Sequence, residues 1–234
     1  MNTLEDIQYR GHRIRIAFDD DPQNPRTEWD NLGNMAYKSS RYILGDEEHA
    51  ITGDVNEWLA SMVDWDEDLM YDYMDKHDMS QQEMMDHLLN KFSEQYIWLP
   101  TYAYIHGGVT MSTGAFSCAW DSSQVGIIFV SKEVVRSEYG WKRITEARAD
   151  KIREYLNGEV ETFNEYCTGQ VFGFVIDDYE HSCWGFYGGS EYCLDEAKSE
   201  VDAMIKWNVT KHIEKMKQWI TSKVPLIYRK PFIA

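Results

Sequence analysis

The segment from residue 46 to residue 94 combines an extreme negative charge with a helical spacing of apolar residues. It contains fifteen Asp and Glu residues against two basic ones, Lys76 and Lys91, so it carries −13 of the chain's net charge of −17. Because charged side chains are rarely buried without a partner, each element here must keep its acids on one face and its apolar residues on the other. Amphipathic helices satisfy that demand.

Three helices are predicted in this segment, because apolar residues recur there every three or four positions. The first begins at Asp54, a favourable N-cap, with Glu57 in its first turn. The third begins at Ser80, which forms a capping-box sequence with Glu83. The predicted buried faces are Val55, Trp58, Leu59, Met62 and Val63 in the first helix, Leu69, Met70, Tyr73 and Met74 in the second, and Met84, Met85, Leu88, Leu89 and Phe92 in the third.

Outside this segment, alternating apolar and polar residues predict β-strands, and glycines mark their turns. The last strand region is predicted to be a hairpin that turns near residues 177–180. One further helix is predicted to end before Gly169, with an interruption at Gly158 as an alternative. The strand regions are 7–18, 97–130 and 170–187, the helices are 144–167 and a long one from Leu194 to Val224, and residues 19–34 are a loop.

These elements predict an α+β fold. The expected architecture is an antiparallel sheet from the three strand regions, an acidic helical insertion at residues 50–95 and a long C-terminal helix. With 234 residues, 43% of them hydrophobic, the chain can form a single domain spanning residues 1–234. It has no export signal and no apolar run approaching the roughly 18 residues of a membrane span, so a cytoplasmic location with reduced cysteines is expected.

The acids of the second predicted helix form a row. Asp68, Asp72 and Asp75 lie at positions i, i+4 and i+7, which places neighbouring carboxylates roughly 5–6 Å apart. Such a row could act as a DNA mimic in a Lys- and Arg-lined groove, and the alternative is a face that only maintains solubility. The predicted partner is a basic, nucleic-acid-handling host protein, with no direct binding of nucleic acid or membranes. The candidate partner-binding residues are Asp64, Asp66, Glu67, Asp68, Asp72, Asp75, Asp78 and Asp86.

A second candidate region runs from His106 to Asp121 and holds the densest set of reactive side chains. A Cys or Ser nucleophile with His and Asp could form there if the strands pair. No nucleophile-elbow motif is present, however, and alternating polar residues are also typical of a half-solvated sheet. A non-catalytic protein is therefore favoured over an enzyme, and no catalytic residue is assigned. The alternative is a small-ligand pocket or hydrolase site formed by Tyr104, His106, Ser112, Cys118, Trp120 and Asp121.

Metal and cofactor motifs are missing from the sequence. The acid-rich loop from Asp19 to Asp30 has Asn24 and Asp30 where a calcium-binding EF-hand loop needs glycine and prefers glutamate. The histidines do not show the spacing of a zinc motif, and no phosphate-binding glycine loop occurs. We therefore predict neither a metal site nor a cofactor.

The helix from Leu194 to Val224 keeps a rhythm of apolar residues for about eight turns, roughly 45 Å at 1.5 Å per residue. Packing across its own sheet is the favoured interpretation. The alternative is a homodimer in which this helix pairs with a second copy.

Five short blocks rich in Trp and Gly support a resemblance: WDNLG (29–33), YILGD (42–46), FSCAWDSSQVG (116–126), GEVETFNEY (158–166) and SCWGFYG (182–188). In these blocks the chain resembles a family of uncharacterised proteins carried by bacteriophages and other mobile elements. The resemblance implies action inside a bacterial host cell and supplies no catalytic residue. Small acidic proteins in that setting include anti-CRISPR and antirestriction proteins, so an inhibitor of host defence is the expected function.

Overall fold

Antiparallel strands and separate helices alternate along the chain in the computed structural model, which describes residues 3–118, 120–177, 181–225 and 228. They confirm the predicted α+β class and the long C-terminal helix. In chain order the elements are β1 (Thr3–Tyr9), β2 (His12–Phe18), α1 (Pro25–Glu28), β3 (Asn34–Tyr37), a 3-10 turn (Glu47–His49), α2 (Val55–Met62), α3 (Glu67–His77), α4 (Gln81–Gln95), β4 (Tyr96–Ile105), β5 (Val109–Ser112), β6 (Ser122–Ser131), α5 (Lys132–Tyr139), α6 (Glu146–Thr168), β7 (Phe172–Ile176), β8 (His181–Phe186) and α7 (Ser190–Lys223).

The chain divides into two compact units. The first consists of Met1–Pro22 and Gln170–Ala234, and the second of Gln23–Gly169. Each has its own four-stranded sheet, in the order β1-β2-β7-β8 in the first unit and β3-β6-β4-β5 in the second. The prediction of a single sheet is therefore wrong, because sequence period shows which face of a strand is buried but not which strand it pairs with. The prediction that residues 1–234 form one domain stays a prediction.

The sheet of the second unit is covered by helices on both faces. Along β6, Ile127 and Phe129 pack with α2, α3 and α4, whereas Ile128 and Val130 pack in the core that includes α6. Successive residues of a strand point to opposite faces, so both faces of β6 are buried. The acidic helices therefore form one outer layer of this unit, inserted in sequence between β3 and β4.

The helices of the acidic segment begin where the sequence predicts. The carboxylate of Asp54 accepts the N–H groups of Asn56 and Glu57 at the start of α2. Ser80 and Glu83 form the expected capping box at the start of α4. The helix predicted at 144–167 corresponds to α6, which runs through Gly158 without a break, while α5 was not predicted.

The first unit begins with a hairpin where one strand was predicted at residues 7–18. Arg10 and Gly11 both have positive φ angles, 49° and 90°, and form a two-residue loop between β1 and β2. The sequence prediction is wrong here, because Arg10 is an unusual residue for this conformation. The hairpin predicted in the last strand region is confirmed as the pair β7 and β8, and residues 178–180 of its predicted turn lie outside the described residues.

The beginning of α7 packs on the sheet of its own unit. Cys193, Ala197 and Val201 recur every four residues, and each is fully buried. They share a core with Ile14 and Ile16 of β2. Within the described residues, no helix is both long enough and apolar enough to cross a membrane.

Candidate functional site

The eight candidate partner-binding acids are all exposed, and we call them the acidic surface. On α3, Met70 and Met74 are buried and fix which side of the helix faces the core. The row of Asp68, Asp72 and Asp75 consequently faces solvent, as expected. Leu69, which was predicted to be buried, is 46% exposed. The full set is Asp64, Asp66, Glu67, Asp68, Asp72, Asp75, Asp78 and Asp86.

The acidic surface has little internal neutralisation. Within the described part of the chain, none of its eight carboxylates forms an ion pair with Lys or Arg. Lys91 lies over the ring of Trp65, with its Nζ 4.9 Å from the ring centre. Asp66 caps α3 by accepting the N–H of Leu69 at 2.7 Å. Most of this charge is therefore available to an external cation or basic protein.

An apolar cleft that the sequence analysis missed lies in the same unit. Its volume is about 300 Å³, and Trp58 of α2, Met85 and Leu89 of α4, and Ile127 of β6 contribute to its lining. Lys38 lies at this cleft and donates a hydrogen bond to the carbonyl of Gly53 at 2.9 Å. The signal in the sequence was a second apolar row, Met85 and Leu89, beside the buried row of α4.

A further acid, outside the acidic surface, lies next to the cleft on α2. Trp58 lines the cleft, and the carboxylate of the preceding residue, Glu57, accepts a hydrogen bond from the hydroxyl of Tyr71 on α3 at 3.1 Å. A partner that binds here could therefore combine basic groups with an apolar side chain.

The alternative site between β4 and β6 is open to solvent. His106 Nδ1 lies 3.4 Å from Asp121 Oδ2, and their side chains are 73% and 40% exposed. The hydroxyl of Ser122 donates to the carbonyl of Cys118, and Trp120 is 96% exposed. The structure thus brings His106 and Asp121 together without enclosing them, and among the described residues no Ser or Cys side chain is hydrogen-bonded to His106.

The neighbours of Ser112 lie outside this alternative site, whereas the ring of Tyr104 lies near His106. Ser112 lies opposite Tyr102 in the β4–β5 pair, and its hydroxyl accepts the N–H of Gly114 at 3.0 Å. Tyr104 lies two residues before His106, and the centres of their rings are 6.1 Å apart. A role for these side chains as a ligand pocket stays a prediction.

A buried ion-pair cluster is the polar feature that the sequence analysis missed. The side chain of Arg26 is only 2% exposed. It donates from Nε and Nη2 to the two oxygens of Asp46, both at 2.8 Å, and from Nη1 to Glu159 at 3.0 Å. A fourth bond, from Nη2 to the carbonyl of Gly33, measures 2.7 Å.

The two carboxylates of this cluster also fix the backbone that leads into β3. Glu159 accepts the N–H of Leu32 at 2.8 Å, and Asp46 accepts the N–H of Met35 at 2.7 Å. Gly33, Asp46 and Glu159 belong to three of the five Trp- and Gly-rich blocks, which therefore meet here. Since the carboxylate oxygens already accept these bonds, we interpret the cluster as a structural clamp.

Burial raises the pKa of Glu159 above its usual value, although Arg26 and the N–H groups of Gly33 and Leu32 oppose the shift. The folded protein therefore holds this proton more tightly than the unfolded chain, and the resulting stabilisation is lost as pH rises. We expect the stability advantage of wild type over Glu159→Gln to shrink as the pH rises above about 4.5, the ordinary pKa of a Glu side chain. Urea unfolding of both proteins at several pH values measures this difference in the free energy of unfolding. A difference that does not change with pH would contradict the raised pKa of Glu159.

Comparison with protein-family models, curated protein sequences and solved structures found no match to this chain.

Proposed function

We propose that this chain is a non-catalytic binding protein whose acidic surface occupies the nucleic-acid-binding surface of a basic partner. The partner would be a host defence or DNA-processing protein, and the chain would act as an inhibitor of the anti-CRISPR or antirestriction type. The resemblance to proteins of bacteriophages and mobile elements supports this setting.

One observation carries the proposal: the row of Asp68, Asp72 and Asp75 is exposed and has no basic side chain paired with it in the described residues. A face needed only for solubility usually mixes both signs of charge. Here the surrounding segment has a net charge of −13. Such a field favours lysine- and arginine-lined grooves and raises the rate of association with them.

The rigidity of α3 supports the same proposal. A helix holds its carboxylates at a fixed spacing, so their side chains lose less freedom on binding than those of a loop would. Met70 and Met74 anchor that helix to the core of the second unit. The acidic row is therefore preorganised before a partner arrives.

The test begins with capture of partners from a bacterial lysate at low and high salt, followed by elution with duplex DNA. A captured basic protein is then titrated with wild type and with the triple variant Asp68→Asn, Asp72→Asn, Asp75→Asn. We expect the triple variant to bind at least roughly tenfold more weakly at low salt, with a shallower salt dependence. Its melting temperature should not fall, because like-charge repulsion is relieved.

A matched control removes the same number of charges elsewhere in the second unit. Glu133, Glu138 and Glu154 are exposed acids of α5 and α6, outside the acidic surface. Changing all three to Gln should leave the affinity almost unchanged. Equal loss in both triple variants would mean that only overall charge matters, and full binding by the Asp→Asn variant would eliminate this surface.

The His106–Asp121 pair is the basis of the alternative function, a small-ligand binder or hydrolase. Its 3.4 Å separation favours some interaction between the two side chains. Their exposure argues against a catalytic site, since such sites exclude water and enclose the substrate. A saturable small ligand that is lost in His106→Ala, with little salt dependence, would favour this alternative over the acidic surface.

A further inference from the structure

The second half of α7 has an apolar stripe exposed to solvent. Every residue from 206 to 219 is exposed, a length of roughly 20 Å at 1.5 Å per residue. Exposed fractions of 54%, 46% and 51% at Val209, Ile213 and Met216 are large for apolar side chains. Side chains three or four positions apart share one face of a helix. The stripe consists of the exposed Val209, Ile213, Met216 and Trp219, with the half-buried Ile205 and Ile220 at its two ends.

The same part of α7 is basic, in contrast with the rest of the protein. Residues 206–223 contain five lysines and a single acid, Glu214, for a net charge of +4. Lys206, Lys215 and Lys217 are exposed and flank the stripe. Lys211 is engaged by Glu214 at 4.0 Å and by the ring of Trp207 at 4.6 Å. A basic amphipathic helix of this kind is typical of segments that dock on a complementary acidic surface.

We propose that α7 of one copy docks on the acidic helices α2–α4 of a second copy, with its apolar stripe toward the cleft beside Trp58. Two-fold symmetry lets each copy supply one helix and one acidic surface, which closes the assembly as a dimer. The proposal extends beyond the binding of a foreign partner and does not depend on it.

Charge complementarity identifies the second copy as the occupant. The helix carries +4, and the segment with the acidic surface carries −13. Pairing of two α7 helices with each other would bring like charges together and is disfavoured. An anionic lipid surface would attract α7 but repel the acidic segment of the same molecule. Among the described residues, the acidic segment of a second copy is therefore the best electrostatic complement of α7.

Two tryptophans of α7 provide a matched pair of variants for the stripe. Trp219 and Trp207 are both 62% exposed, but twelve residues separate them, which places them about 120° apart around the helix. Trp219 belongs to the stripe and Trp207 lies outside it. In sedimentation equilibrium at low salt, we expect Trp219→Ala to weaken self-association by about tenfold or more and Trp207→Ala by less than about twofold. Equal effects, or a wild type that remains monomeric at all salt concentrations, would overturn the proposal.

A charge exchange identifies the docking surface. The helix variant carries Lys206→Glu, Lys215→Glu and Lys217→Glu. The surface variant carries Asp68→Lys, Asp72→Lys and Asp75→Lys on α3. Each variant alone should self-associate at least roughly tenfold more weakly than wild type, while an equimolar mixture should form heterodimers, because each helix then meets a surface of opposite charge. Circular dichroism checks that both variants are folded.

The outcomes separate this proposal from its rivals and from the proposed function. A surface variant that dimerises like wild type would indicate pairing between two α7 helices and overturn the assignment. A monomeric wild type that cosediments with vesicles containing phosphatidylserine would identify a lipid surface as the occupant instead. If the helix variant loses dimerisation but still binds the basic partner captured above, α7 is needed for self-association and not for partner binding. A surface variant that self-associates more weakly but still binds the captured partner like wild type would contradict only the proposed function.

Discussion

Replacing Arg26 with methionine is expected to lower the free energy of unfolding by about 3–5 kcal/mol, the cost of leaving buried charges without their partner. Arg26 is 2% exposed and forms ion pairs with Asp46 and Glu159, whose side chains are 11% and 8% exposed. Methionine fills a similar volume but provides no donor. Two carboxylates would then face each other with only backbone N–H groups as partners, and chemical denaturation would report the loss.

Arg153 is a matched control, because it also bridges two carboxylates but does so at the surface. Its Nη1 lies 2.7 Å from Glu146 and 2.6 Å from Asp150, and its side chain is 36% exposed. We expect Arg153→Met to cost less than about 1 kcal/mol, since water screens exposed ion pairs. A similar cost for both substitutions would show that the Arg26 cluster gains nothing from its burial.

Replacing Phe92 with alanine should cost a comparable amount, about 3–5 kcal/mol, because it removes a large ring from a closed core. Phe92 is fully buried on α4, and its ring stacks on Tyr96 at 4.2 Å and meets Phe129 edge-on at 5.5 Å. These contacts attach the acidic helical layer to its sheet. Trp120→Ala is the control, since that side chain is 96% exposed and its loss should change stability by less than about 0.5 kcal/mol.

Salt should partly compensate for the loss of Phe92. The helices held by this residue repel one another through their acids, and dissolved salt screens that repulsion. We expect added salt to raise the free energy of unfolding of Phe92→Ala, as it should for wild type. A free energy of unfolding that does not rise with salt would mean that charge repulsion does not strain the helical layer.

The elements with strong local signals were predictable from the sequence. Asp54 and the Ser80–Glu83 box mark helix starts by bonds that reach only two or three residues along the chain. The exposure of the acidic row followed from the apolar residues of the same helix, such as Met70 and Met74. In each case the residues that decide the structure are neighbours in sequence.

The missed features depend on residues far apart in sequence. Arg26 and Glu159 are 133 positions apart, and no sequence motif indicates that they form an ion pair. The division of the strands between two sheets depends in the same way on long-range pairing. The cleft near Trp58 is formed by side chains of two helices and a strand, so the apolar periodicity of one element does not predict it.

The connection between the two sheets has a consequence for synthesis on the ribosome. The β1–β2 hairpin is made first, but β7, its neighbour in the sheet, begins about 150 residues later. At roughly 5–20 residues per second, the hairpin waits on the order of 10–30 s for that strand. The second unit is a continuous segment and can fold during this interval. A chain truncated before residue 172 would therefore contain a folded second unit and a hairpin without its neighbour β7. The open edge of that hairpin is prone to aggregate.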